Sequence, residues 1–287
     1  MRVVVTGGRG LIGCRAVDEL VRAGHHVISI VRERNAVPAE LAPPHEEVLA
    51  DAGDPDILRE TCSGADGLVH LAAIPSPTGR TAQELVGANS MTTIAVLEAA
   101  GESRVPGVVL ASSISVLGMA WSESVMSPLY LPVDEAHPLR PTEGYALSKE
   151  WDEAAARMAA RRWGMTVFAL RFPFTQIADA IHARRADQTP EQERALAKEL
   201  WGYLDVRDAA RAVRLAIESA VTSPCGGAAI LNIVADDICA DEPLRSLLEK
   251  WHPGVAAVPA GLRVPYDISA AEAVIGFRAE HLLHDFD

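Results

Sequence analysis

The chain has 287 residues, 26 Lys plus Arg against 39 Asp plus Glu, a formal net charge of −13 and 49% hydrophobic residues. About 150 residues make a typical domain, so the length fits one large α/β domain, or a domain carrying a smaller lobe, with ample surface to bury a core. The acidic balance repels polyphosphate backbones, no Lys/Arg run is present and no apolar stretch approaches the ~20 residues of a bilayer span, so neither nucleic acid nor membrane is an expected partner.

In chain order, short apolar, β-branched runs alternate with stretches of helical period. Strands are predicted over 3–6, 27–31, 48–50, 67–72, 108–112, 166–171 and 229–234. Helices are predicted over 11–23, 55–63, 81–100, 143–163 and 206–219. Alternation of this kind predicts α/β architecture, a doubly wound parallel sheet covered on both faces, with Gly24 ending the first helix. Residues 119–141, with four prolines, form a long loop expected to roof a site, and Met119, Trp121, Met126 and Tyr130 would make that roof partly apolar. A charged excursion over 174–200 is expected to belong to a lid. The organisation predicted is a dinucleotide-binding domain over 1–172, to which 203–238 return, and a smaller C-terminal substrate lobe from 173–202 and 239–287.

The strand-like run at Arg2 has no signal-peptide region ahead of it, so a cytoplasmic protein is expected. Cys14, Cys62, Cys225 and Cys239 lie far apart without a CxxC pair, which predicts reduced, mostly buried thiols and no metal site. His281 and His284 share a helical spacing but lack a third ligand.

The first strand runs into Thr6-Gly7-Gly8-Arg9-Gly10-Leu11-Ile12-Gly13, and a helix follows at once. Glycines at this spacing allow a tight turn, close approach of backbone to a pyrophosphate and packing of helix on strand, while the helix N-terminus faces the anion. The pattern predicts a Rossmann-type dinucleotide site. The second strand ends Ile30-Val31-Arg32-Glu33-Arg34, where an acid would hold the ribose 2′-hydroxyl of NAD. Arg32 and Arg9 are placed instead to clasp a 2′-phosphate, which favours NADP and leaves NAD possible. Glu33 would take the ribose role if the strand ended one residue later.

Tyr145 and Lys149 share one face of the helix after Pro141. An ammonium beside a phenol favours the phenolate, so tyrosine can give or take a proton nearer neutral pH. Only three lysines occur in the chain, so a lysine here rather than an arginine points to a need for the compact ammonium. The fifth strand ends Ala111-Ser112-Ser113-Ile114-Ser115, hydroxyls at the carboxyl edge where ligands bind in open α/β sheets. Arg184 and Arg185 would meet a substrate anion or simply face solvent.

Together these residues resemble the extended short-chain dehydrogenase/reductase superfamily of NAD(P)-dependent epimerase/dehydratase type, over nearly the whole chain. The resemblance rests on the glycine turn, Asp51, His70-Leu71-Ala72-Ala73, Asn89, Ser113, Tyr145-Ala-Leu-Ser-Lys149, Leu170-Arg171-Phe172-Pro173 and Asp205-Val206-Arg207-Asp208. It implies that Asp51 and Ala52 border the adenine and that Leu71, Ala72 and Ala73 line the dinucleotide. Asn89, Ala111 and Pro173 would complete the cofactor site. It further implies that Ser113 polarises the substrate oxygen, Tyr145 is the general acid/base and Lys149 holds the nicotinamide ribose. Family members commonly dimerise through the helices corresponding to 81–100 and 143–163, so a homodimer is expected.

Three departures set the chain apart. The 119–141 loop stretches the interval between Ser113 and Tyr145, Pro173 stands where sugar-nucleotide epimerases carry Asn, and no Tyr-Gly-Pro run follows. The acidic pair of dehydratases is replaced by Ile114 and Ser115, so dehydration lacks its acids. The expected function is an NADP-preferring oxidoreductase moving a hydride between nicotinamide and a carbonyl or hydroxyl carbon of a small molecule. The alternative is an epimerase of sugars or sugar nucleotides that retains NAD and passes through a transient ketone. A non-catalytic cofactor sensor would be expected to lack the tyrosine or the lysine, and both are present.

Overall fold

The fold comes from a computed structural model that describes residues 1–33, 45–255 and 258–284. Seven parallel strands form the main sheet: β1 (Arg2–Thr6), β2 (His26–Val31), β3 (Glu46–Leu49), β4 (Gly67–His70), β5 (Gly107–Ser113), β6 (Thr166–Phe172) and, after two short strands, β9 (Ala228–Asn232). Their order is β3-β2-β1-β4-β5-β6-β9, so the winding reverses between β1 and β4, the place where open α/β sheets open a ligand crevice.

Alternate residues explain why both faces are covered. Val3 and Val5 enter a core with Val17 and Leu20 of α1 (Leu11–Arg22) and with Val213 and Ile217 of α7 (Val206–Thr222). Val4 points the other way, into a core with Leu58 of α2 (Pro55–Cys62), Val96 and Leu97 of α3 (Ala82–Glu102) and Ala156 and Ala159 of α4 (Gly144–Trp163). Small alanines on α4 let it lie close against α3. Capping fixes where these helices begin and end: Thr81 and Glu84 form a capping box for α3, and Glu143 accepts from the Ala146 amide at 2.8 Å to start α4. Gly24, at φ +84°, turns the chain out of α1.

The charged excursion folds as α5 (Ala178–Ala186) and α6 (Pro190–Lys198), between β7 (Phe174–Gln176) and β8 (Tyr203–Asp205), which pair with each other in parallel. Two helices follow β9, α8 (Leu244–Trp251) and α9 (Ser269–Ile275). The 119–141 segment is tied down rather than loose. His137 Nε2 accepts from the Leu129 amide at 2.9 Å, Arg140 donates to the Ser127 carbonyl at 2.8 Å, and Arg194 of α6 donates to the Glu123 carbonyl at 2.6 Å. Of the four residues expected in its apolar roof, Met119 is instead packed into the core at 1% exposure, while Trp121 and Tyr130 face outward.

The fourth strand was expected to reach residue 72 and ends at His70. Leu71 still donates to the Thr6 carbonyl at 3.1 Å, and the Ala72 amide nitrogen lies where a Cβ on Gly7 would strike it. Among the described residues, no helix is long and apolar enough to cross a membrane.

Candidate active site

The glycine turn sits at the carboxyl end of β1, and each glycine has a different reason to be there. Gly7 has φ +74°, and a Cβ on it would stand 2.7 Å from the Ala72 amide nitrogen. On Gly13 a Cβ would meet the Gly7 carbonyl oxygen at 2.1 Å, so helix and turn touch backbone to backbone. At Gly10 the nearest atom would be 3.3 Å away, and Gly10 caps α1 with no side-chain hydrogen bond. The first amides of α1, at Leu11 and Ile12, therefore precede a cradle that a Cβ on Gly10 would partly fill. A pyrophosphate fits that arrangement of free N–H groups and helix dipole.

The two arginines expected to clasp a 2′-phosphate are both engaged. Arg9 makes a two-point pair with Glu47 of β3, Nε to Oε1 at 2.6 Å and Nη2 to Oε2 at 3.0 Å, and His45 Nε2 lies 3.2 Å from the same Oε1. These contacts hold the Glu47 carboxyl below the usual carboxylate range. Arg32 lies 3.6 Å from Asp51, with both side chains largely in solvent. Glu33 is exposed, and Arg34 lies outside the described residues.

Across the switch point, His70 is buried between two hydroxyls, Nδ1 2.7 Å from Thr6 Oγ1 and Nε2 3.2 Å from Thr93 Oγ1. Burial, and then the charge of Lys149, push its pKa down to about 3, so it is a neutral strut. Asn89 spends its amide on the same neighbourhood. It accepts from the Ile74 amide at 2.8 Å and donates to the Ile74 carbonyl and to Ser148 Oγ, which holds the segment around Ala72 and Ala73 against α4.

Ser113 ends β5 and caps a short 3₁₀ turn over Ile114–Leu117, where its Oγ accepts from the Ser115 amide at 3.1 Å. Ser112 is different. Its hydroxyl donates to Glu153 Oε1 at 2.8 Å, and Glu153 also takes a two-point grip from Arg171 of β6 at 2.7 and 2.9 Å. This fully buried pair pins α4 to β5 and β6 and so places Tyr145 and Lys149. Lys149 Nζ donates to the Ala111 carbonyl at 2.9 Å and to Asp152 Oδ2 at 3.1 Å. Burial alone would lower its pKa, but Asp152, Tyr145 and Glu153 outweigh that and hold it above the ordinary lysine range, so it is an ammonium. The Tyr145 hydroxyl makes no hydrogen bond to any described residue.

Sequence reasoning missed Glu47, Asp152 and Glu153 as parts of this neighbourhood, and named Arg171 only as part of the 170–173 stretch, without its acid partner. A signal existed for that pair: an arginine inside the apolar run of β6 demands a buried acid, and Glu153 stands four residues after Lys149. The candidate substrate-anion residues are both paired with acids, and Arg185 also lines a cavity of about 130 Å³ together with Asp241 and Trp251. Arg184 is held by Glu199 at 2.8 Å and stacks over Phe174, and Arg185 is held by Asp241. A separate cavity of about 580 Å³, lined in part by His182, Tyr203, Arg207, His281 and His284, includes none of the reactive residues. His281 faces Asp208 at 3.3 Å and His284 faces Asp237 at 3.1 Å; among the described residues no group of three or more metal-ligating side chains is gathered.

A family model described as the NAD dependent epimerase/dehydratase family matches residues 3–233. The chain is 29% identical over 242 residues to an L-arabinose 1-dehydrogenase (NAD(P)(+)) of Haloferax volcanii, covering 82% of this chain and 89% of that one. It is 33% identical over 197 residues to a 4-hydroxy-2-methyl-3-oxo-4-farnesyl-3,4-dihydroquinoline-1-oxide ketoreductase of Stigmatella aurantiaca, covering 64% of this chain and only 56% of the relative. Among solved structures, MoeE5 in complex with UDP-glucuronic acid and NAD superimposes with a TM-score of 0.69 at 26% identity, covering 99% of this chain and 95% of the other. A short-chain dehydrogenase/reductase superfamily protein from Agrobacterium tumefaciens with bound NAD has the same fold, with a TM-score of 0.72 at 23% identity over 98% of this chain and 93% of that one.

Proposed function

The chain belongs to the NAD dependent epimerase/dehydratase family, and on that premise we propose that it oxidises or reduces one carbon of a small hydroxyl- or carbonyl-bearing substrate. The observation that carries this reading is the placement of two groups: a tyrosine hydroxyl without a protein partner among the described residues, and an ammonium four residues on, pinned to the backbone of the strand that ends in Ser113.

NAD(P), when bound at the glycine turn, supplies hydride transfer at carbon. The protein's own part is the proton and the charge. Tyr145 gives its proton to the substrate oxygen in reduction and takes it in oxidation, and the Ser113 hydroxyl, which donates to Ser115 Oγ at 3.0 Å in this structure, would turn to donate to the same oxygen as negative charge develops there. Lys149 keeps a positive charge beside the phenol, and its third N–H remains for a ribose hydroxyl. Gly7, Gly10, Gly13, Leu11 and Ile12 would hold the pyrophosphate. Asp51 and Ala52 would border the adenine, with Leu71, Ala72, Ala73 and Ala111 along the dinucleotide and Pro173 beside the nicotinamide. Asn89 acts through the Ile74 backbone it binds. The turn would take either dinucleotide, and with NADP the 2′-phosphate would compete with Glu47 and Asp51 for Arg9 and Arg32.

The segments 173–202 and 239–287 are proposed as the substrate side of the site. Met91 on α3 and Trp151 on α4 are 61% and 50% exposed on neighbouring helices, which supports a homodimer through that face.

A panel of aldoses, uronic acids and ketones, followed at the nicotinamide absorbance, tests the reading. Net reduction or oxidation of cofactor in step with product is the expected result. The alternative, an epimerase, is favoured by the likeness to a structure holding a UDP-sugar acid with NAD, and it predicts an inverted sugar with no net change in cofactor.

A further inference from the structure

Arg9 and Arg32 are the two arginines that the proposed dinucleotide site would offer to a 2′-phosphate, and their counter-ions are of different kinds. The Arg32–Asp51 contact is single, 3.6 Å long and exposed, and a contact of that kind is worth little and breaks easily. The Arg9–Glu47 contact is a fork on a fork, with both side chains more than four-fifths covered and a third group, His45, closing on the carboxylate. Glu47 takes the Nε/Nη2 edge of the guanidinium and neutralises its charge, leaving only the Nη1 side for a second acid.

The carboxylate's position is built into the sheet. Glu47 of β3 is paired opposite Ser29 of β2, and Ser29 Oγ is the atom that a Cβ on Gly8 would strike at 1.9 Å. Glu47 therefore lies on the face of the sheet that carries the glycine turn, and Arg9 reaches back to it from the turn itself. A phosphate arriving at Arg9 either displaces this carboxylate or shares the guanidinium with it, and in both cases stays close to its negative charge.

We infer that Glu47, an acid from the edge strand rather than from the end of β2, sets the choice between the two nicotinamide dinucleotides, withholding Arg9 from a 2′-phosphate and so favouring the cofactor without one. The inference rests on the reading of the glycine turn as the dinucleotide site.

The test is a binding titration of the wild type, Arg9→Gln and Glu47→Gln with NADH and NADPH, read by nicotinamide fluorescence with no substrate present. The expected results are tighter NADH than NADPH in the wild type, a ratio that Arg9→Gln changes by less than about threefold, and a shift toward NADPH of about tenfold or more in Glu47→Gln, the size of one charge-assisted contact. An unchanged ratio in Glu47→Gln overturns the inference. So does a tenfold loss of NADPH selectivity in Arg9→Gln, since Arg9 would then already be holding the phosphate; this second measurement decides the matter even where Glu47→Gln does not fold. If the wild type binds neither nucleotide, the dinucleotide reading of the turn fails, and the inference with it. Binding of both with no response to Glu47→Gln removes the inference alone.

Discussion

Lys149 Nζ and Asp152 Oδ2 lie 3.1 Å apart on one turn of α4, with both side chains almost wholly buried. Among the described residues Asp152 Oδ1 has no hydrogen-bond partner, so the carboxylate's contact with them runs through the lysine. Buried alone, Lys149 would tend to lose its proton; with Asp152 beside it the ammonium persists. Asp152→Asn should therefore move the alkaline limb of the pH–rate profile to lower pH, because burial then dominates and the charge is lost earlier. The rate near neutrality should fall roughly tenfold, as for loss of one charge-assisted hydrogen bond. A uniform loss of rate with no movement of the limb would mean that Asp152 only shapes the helix.

The buried Arg171–Glu153 pair predicts a stability effect. Removing one partner strands a charge in the core, so Glu153→Gln should destabilise by about 3–5 kcal/mol, read from denaturant midpoints. Ser112→Ala removes a single neutral donor to the same carboxylate and should cost about 1–2 kcal/mol. Equal, small effects for both would contradict the role given to the pair.

How much of this was legible beforehand differs by element. The main sheet could be read because β-branched runs such as Val3 to Val5 leave little doubt about period and burial, and the glycine turn because its spacing falls between a strand and a helix. Tyr145 and Lys149 announced themselves by spacing. The pairing of Arg9 with Glu47 could not be read: the two are 38 residues apart, and Glu46-Glu47-Val48-Leu49 is an edge strand without an alternating pattern. The strands β7 and β8, three residues each, are too short to show a period.

Two glycines of the turn should respond oppositely to alanine. Gly13→Ala pushes a Cβ to 2.1 Å from the Gly7 carbonyl and should prevent normal folding. Gly10→Ala meets nothing closer than 3.3 Å, so its melting temperature should stay within a few degrees of wild type, while dinucleotide affinity falls about tenfold or more. Thermal melts with and without nucleotide separate the two.

His70 gives the stability a pH dependence. Its pKa is about 3 in the folded protein against an ordinary 6.5, so between those values the unfolded chain binds the extra proton. Stability should rise with pH through that window, by up to about 1.4 kcal/mol per unit from this residue, and be flat above it. His137 and His252, lowered in the same direction by burial, add to the slope. His70→Gln should show a shallower dependence of denaturant midpoint on pH between 4 and 6; an unchanged slope would contradict the neutral strut.

The most direct test of the account is Tyr145→Phe, which removes one hydroxyl from a side chain that makes no protein hydrogen bond through it among the described residues. Nucleotide titration and turnover would be measured on the same preparation. The account predicts unchanged dinucleotide affinity and a turnover reduced at least ~100-fold, the scale of a lost general acid/base. A Phe variant that turns over at the wild-type rate would contradict it.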